Sequence, residues 1–133
     1  MMTKNFMKWI AGSALCASFS GPLMADEVFT VVAKVALTGG GVVFTDAAGF
    51  SLYTFDIDSE NVSNCNTACL IKWPKATIPA GTALTGSFGA ITAADGTLQL
   101  TLNHHPLYRY TPDTDPGDTY GDNVGTVWHL ARP

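Results

Sequence analysis

Leu98, Leu100 and Leu102 alternate with Thr97, Gln99, Thr101 and Asn103, and earlier in the chain Phe29, Val31, Ala33, Val35 and Leu37 are interleaved with Thr30 and Lys34. A period of two sends successive side chains to opposite faces of an extended strand, so both stretches predict half-buried β-strands. Helical spacing of apolar residues is hard to find. Turn-forming residues fall between the alternating runs: "TGGG" at 38–41, "DAAG" at 46–49, "DG" at 95–96 and "NHHP" at 103–106.

The pattern also repeats. Shifted by 55 positions, Leu52, Tyr53, Phe55, Asp58 and Trp73 fall on Leu107, Tyr108, Tyr110, Asp113 and Trp128 without a gap, and Ser63 falls on Asp118. Two copies of one supersecondary unit account for this. Each copy reads as strand, hairpin, strand, turn, strand, then a long irregular excursion that ends on tryptophan. The segment from Pro74 to Gly89, rich in Pro, Gly, Thr and Ala, links them. The predicted fold is all-β with about six main strands: two tandem three-stranded meander repeats, about residues 28–75 and 86–131, packed as a small sandwich or a partly closed barrel. On that frame Tyr53 and Phe55 share one strand face and Leu52 and Thr54 the other. Asp58 and Asp113 lie just past strand ends, where a carboxylate accepts from backbone N–H groups of the next turn. The tryptophans close each excursion onto the core, and a buried indole N–H seeks an acceptor.

The N-terminus changes the bookkeeping. Lys4 and Lys8 precede an apolar run over 9–19, and small residues lead to Ala25, which is the layout of a secretory signal peptide over 1–25. The apolar run is about half the roughly 20 residues a membrane span requires. Leu15 before Cys16 does not make a lipid-attachment motif. Residues 26–133 then form a single domain with five basic residues against eleven acidic ones. So acidic a chain has no positive stripe for phosphates, which makes nucleic acid and anionic membrane surfaces poor candidates as partners. Cys65 and Cys69 remain as an even pair in an oxidising compartment and are expected to form a disulfide.

Tyr-x-aromatic-x-x-Asp at 53–58 and 108–113, "SNCNTAC" and "WP" after the first, and "PGDTYGDNVGTVWHL" after the second carry a resemblance. From about Val42 to Leu130 the chain resembles the bacterial secreted-repeat family of predicted lipoproteins with a conserved Yx(FWY)xxD motif, a family of unknown function. The resemblance implies an exported, cell-envelope protein with tandem repeats, and implies no reaction. Lys75 stands where the family pattern has a second proline.

Candidate chemistry is sparse. Asp56, Asp58 and Glu60, with Asp113, Asp115, Asp118 and Asp122 in the second copy, alternate so that several carboxylates can aim at one divalent cation. Counted from Asp56, however, Asn61 and Thr67 stand where a calcium loop of the EF-hand type needs glycine and glutamate, and solvated turn acids are the default. Cys65 and Cys69 have three residues between them, unlike the two of catalytic dithiols, and lack the second pair of a zinc site. His104, His105 and His129 are a further candidate set for a soft metal or haem. No nucleophile, glycine-rich loop or carboxylate pair carries a catalytic signature. The expected role is non-catalytic: a secreted or periplasmic module that binds an unknown protein or small ligand through exposed aromatics and acids, without a cofactor. The alternative is a periplasmic metal-binding protein using its acidic turns or histidines.

Overall fold

The computed structural model describes residues 32–37 and 40–133. The leader expected over residues 1–25 and the beginning of the first strand, Phe29 to Val31, lie outside them. Within the described residues the elements are β1 (Val32–Ala36), β2 (Val42–Asp46), β3 (Tyr53–Phe55), α1 (Thr67–Lys72), β4 (Thr77–Ile78), β5 (Phe88–Thr92), β6 (Leu98–Leu102), β7 (His105–Pro106), a 3₁₀ turn (Val124–Thr126) and β8 (Trp128–Leu130). All strand pairs are antiparallel, in three small sheets: β1 with β2, β3 with β8, and a four-stranded sheet in which β6 pairs with β4, β5 and β7. The fold is all-β, made of two repeats, and among the described residues no sheet closes into a barrel.

The hairpins show how the copies correspond. In the first, Val35 pairs with Val43; in the second, Ile91 pairs with Gln99. This offset is 56, whereas from Leu52 onward it is 55. One residue is lost in the turn after the hairpin. In the first copy Asp46 N–H donates to Phe50, with Gly49 at φ 96° and the Asp46 carboxylate accepting from the N–H groups of Ala48 and Phe50. In the second, Leu102 pairs with His105 across Asn103 and His104 alone, both at positive φ. Such a two-residue turn with both central residues left-handed matches the twist of the strands it joins, and Asn tolerates that conformation better than most residues.

Beyond the turns the copies interlock. Tyr53 pairs with Leu130, and its counterpart Tyr108 bridges Lys75, the counterpart of Leu130. Phe44 N–H donates to Ala131 and Leu100 N–H to Ala76; Ala131 N–H donates to Leu52 and Ala76 N–H to Leu107. Each copy's third strand therefore pairs with the other copy's closing strand. At the centre, Tyr53 and Tyr108 exchange both backbone hydrogen bonds at 2.9 Å, which places a pseudo-two-fold axis between them.

Period-two alternation divides the core. Phe44, Leu52, Leu100 and Leu107 face one buried cluster, and Val43, Tyr53, Tyr108, Trp73, Trp128 and Leu130 face another. The strand over 98–102 is more buried than its alternation implies: Gln99 and Thr101, expected on an outer face, are buried along with Leu100 and Leu102. Both faces of β6 are covered, because the excursion of the first copy packs where a lone sheet would meet water. Helix α1 is the other departure. Asn66 caps it, its side chain accepting from Cys69 N–H, so a single turn forms without an apolar stripe.

Gly121 marks the tightest approach. A Cβ there would lie 2.8 Å from the Tyr53 ring and 2.9 Å from Trp73. We expect Gly121→Ala to destabilise the fold by about 1–3 kcal/mol, read as a lower urea midpoint with an unchanged slope.

Candidate functional site

The repeat-motif residues converge on the pseudo-two-fold axis. The indoles of Trp73 and Trp128 stack on one another with centroids 3.7 Å apart and planes within 1°. Phe55 stacks on Trp128 at 4.1 Å and Tyr110 on Trp73 at 4.0 Å, which gives a four-ring column made of two rings from each copy. Tyr53 and Tyr108 meet the column edge-on, at 5.5 Å to Trp73 and 5.2 Å to Trp128. The edge-on contacts of the two tyrosines are a geometry that ring quadrupoles favour. Neither indole N–H donates to another described residue, so the acceptor expected from the sequence is not found there; the rings are held by their faces.

The acids of the motif complete the exchange. The Tyr53 hydroxyl donates to Asp113 Oδ2 at 2.6 Å, and the Tyr108 hydroxyl donates to Asp58 Oδ2 at 2.7 Å. Each tyrosine thus reaches the aspartate of the other copy. The second oxygens accept from turn backbone as expected: Asp58 Oδ1 from Asn64 N–H, Asp113 Oδ1 from Tyr120 N–H. Gly121 N–H donates to the Tyr53 hydroxyl, and Ser63 Oγ shares a hydrogen bond with that of Tyr108. Burial, reinforced by the neighbouring carboxylate, pushes the Tyr53 phenol far above its usual range. Burial does the same to Tyr108, with Asp58 adding to it and Ser63 opposing. Burial also raises Asp58, against the opposing hydrogen bonds from Asn64 and Tyr108. This arrangement holds each phenol in its protonated, donating form.

The remaining acids are dispersed. Asp56 meets His129 Nε2 at 2.8 Å, Glu60 lies 4.0 Å from His104 Nε2, and Asp118 Oδ2 accepts from the N–H groups of Thr114 and Asp115. Asp115 and Asp122 are exposed, and Asp122 Oδ1 accepts from Leu130 N–H. Among the described residues no group of three or more His, Cys, Asp or Glu is placed to hold a metal ion. The acids are arranged around backbone N–H donors. His104, His105 and His129 do not assemble into a donor set either.

Cys65 and Cys69 are disulfide-bonded, with Cα atoms 5.2 Å apart, at the start of α1. Of the motif aromatics, Tyr53, Tyr108, Trp73 and Trp128 are buried in the core and Phe55 and Tyr110 are half-buried, so none of them supplies an exposed aromatic contact. Tyr120 alone among the described aromatics is largely exposed, at 67%. Gln99 and Thr101 are the polar residues of β6 that alternation misreads, and Gln99 is the one left with an unpartnered atom. It is fully buried, its Nε2 donates to Leu107 O, and its Oε1 has no hydrogen-bond partner among the described residues. Comparison with Val43 of the first copy would have singled it out, once the offset of 56 is known.

The family model described as "Secreted repeat of unknown function" matches residues 34–77 and 89–132. No curated protein and no solved structure matches the chain. Among the described residues no helix is long and apolar enough to cross a membrane.

Tyr53→Phe strips a partner from Asp113, which is 5% exposed, and should cost about 1.5–3 kcal/mol, the range for hydrogen bonds to charged groups. Tyr108→Phe should cost less, because Asp58 is half-buried. In double-mutant cycles, Tyr53→Phe should couple to Asp113→Asn by about 1 kcal/mol or more and be near-additive with Asp58→Asn.

The raised phenols also set an alkaline limit. A group whose folded pKa exceeds its unfolded value stabilises fully below the unfolded value, about 10 for tyrosine, and that stability is lost as pH rises above it. Stability should therefore fall above about pH 10, and Tyr53→Phe with Tyr108→Phe should flatten that limb in urea melts taken across the alkaline range.

Proposed function

The chain belongs to the secreted-repeat family of unknown function, and from that premise we propose that it acts as a non-catalytic binding module of the cell envelope. One observation carries the reading: the chemically capable residues of the repeat motif are consumed by each other. The phenols of Tyr53 and Tyr108 are spent on Asp113 and Asp58, the indoles on one another, and the cysteines on a disulfide. A catalytic group needs a face open to substrate and a proton near its operating pKa, and these have neither. What the interlocked core supplies is a rigid frame with its loops held in fixed places.

The disulfide fits the same reading. It closes a loop of only a few residues, so its effect on the unfolded chain is modest, about 2 kcal/mol by the chain-entropy relation. Its local effect is to pin the excursion where α1 begins.

The reading is tested on the purified exported chain by insulin reduction and by chromogenic ester, glycoside and phosphate substrates. Background rates are expected in every assay; turnover that disappears in a folded point variant would overturn the proposal. Cys65→Ser combined with Cys69→Ser should lower stability by up to about 2 kcal/mol in urea melts and leave insulin reduction at the buffer rate.

A further inference from the structure

A duplicated fold contains its own control, because each position can be compared with its mate. At two positions of the interlock one copy is apolar where the other is polar. Val43 pairs with Val35 and Gln99 with Ile91, so Gln99 stands where the first copy has valine, and both are fully buried. Leu130 pairs with Tyr53 and Lys75 with Tyr108, so Lys75 stands where the second copy has a leucine 6% exposed. The fold accommodates the apolar residue at each position. Both polar exceptions line one cleft.

That cleft has a volume of about 460 Å³ and runs between the first copy's excursion and the second copy's hairpin, with Ser63, Leu70, Lys75, Ile91, Asp95 and Gln99 among its walls. The volume falls in the lower half of the range for small-molecule pockets, roughly 300–1,000 Å³. Gln99 Oε1 is without a partner among the described residues, and a buried acceptor without a donor destabilises a fold. Lys75 Nζ lies 2.9 Å from Asp95 Oδ2. The Thr97 hydroxyl, then Lys75, holds the Asp95 carboxyl well below the usual carboxylate range. The charges of the cleft thus cancel, which leaves neither an unpaired cation for an anion nor a spare carboxylate for a cation. What remains is one buried, unpartnered acceptor in the cleft wall and the apolar side chains of Val62, Leu70 and Ile91.

We propose that this cleft is a binding site for a small neutral organic molecule that joins an apolar body to one hydroxyl or amide N–H, the donor being taken by Gln99 Oε1. The proposal rests on the binding-module reading and names its site and ligand class. Gln99 is the specificity residue. Its Nε2 is fixed by Leu107 O, so Oε1 is held in one orientation. Leu107 O also accepts from Ala76 N–H, so losing the glutamine leaves no carbonyl without a donor.

Phenol is a suitable probe, with benzene lacking the donor and benzoate carrying a charge. Each is titrated into the isotopically labelled exported chain and followed by NMR, and phenol is assayed for consumption. Phenol should shift the Gln99 side-chain amide and the Leu70 and Ile91 methyl signals with millimolar affinity. It should bind about tenfold more tightly than benzene, the factor expected for one buried hydrogen bond. Gln99→Val, the residue of the first copy, should retain the fold and abolish that preference; Gln99→Met, closer in volume, should do the same if valine leaves a void. Equal binding of phenol and benzene by the wild-type chain, or an undiminished preference in both variants, would overturn the site. So would the absence of shifts in the cleft, the result expected if Oε1 only holds a water. Shifts confined to another face would remove the site and leave the module reading standing, whereas phenol bound in the cleft and then consumed would remove the module reading and keep the site.

Discussion

Two tyrosines facing each other across a pseudo-two-fold axis hold this molecule together. Tyr53 and Tyr108 exchange backbone hydrogen bonds with each other, and each hydroxyl reaches the other copy's aspartate. The Trp73 and Trp128 indoles stack beside them. Every one of these contacts crosses between copies, so the repeat motif specifies an interface. Tyr-x-aromatic-x-x-Asp is the minimum that such an interface requires. The tyrosine supplies a backbone pair and a donor, the aromatic two residues on shares its face and stacks, and the aspartate folds its own turn while accepting a hydrogen bond from the other copy's tyrosine.

The duplication, the all-β class and the pairing of motif positions were legible because they depend on local signals: alternation, turn residues and a constant spacing. The site was less legible. Alternation places Gln99 outward, and it is buried because the excursion from Asn61 to Leu70, distant in sequence, covers that face of β6. Periodicity reports how a strand divides its two faces, but not whether a later loop covers the polar one. Helix α1 escaped for a different reason. Six residues carry too little pattern, although Asn66 as a cap before Thr67–Lys72 was a readable signal. The acids seemed able to converge on a cation because spacing alone does not reveal that backbone N–H groups already fill Asp58, Asp113 and Asp118.

Near-symmetry separates scaffold from specialisation. Positions that keep the same chemistry in both copies, such as the tyrosines, the aspartates and the stacked rings, serve the interlock. Positions that differ are released from it. The first copy has a disulfide and a helical turn where the second has the exposed Tyr120 and a glycine-containing 3₁₀ turn, and the second has Gln99 where the first has Val43. Such differences cluster around one cleft and along the two excursions, while the axis is left alone.

The exchange of closing strands also governs when the molecule can form. Tyr53 near the start of the described chain cannot complete its ladder until Leu130 near its end is available, and Ala131 supplies the carbonyl that Phe44 needs. Neither half owns a finished core, so no early stretch has a stable structure to settle into while the rest is still being made. Contacts this distant in sequence slow folding, because the ends of a long loop must meet before any reward arrives. Compaction of this fold therefore waits on both ends of the core, from Phe44 in one copy to Ala131 in the other.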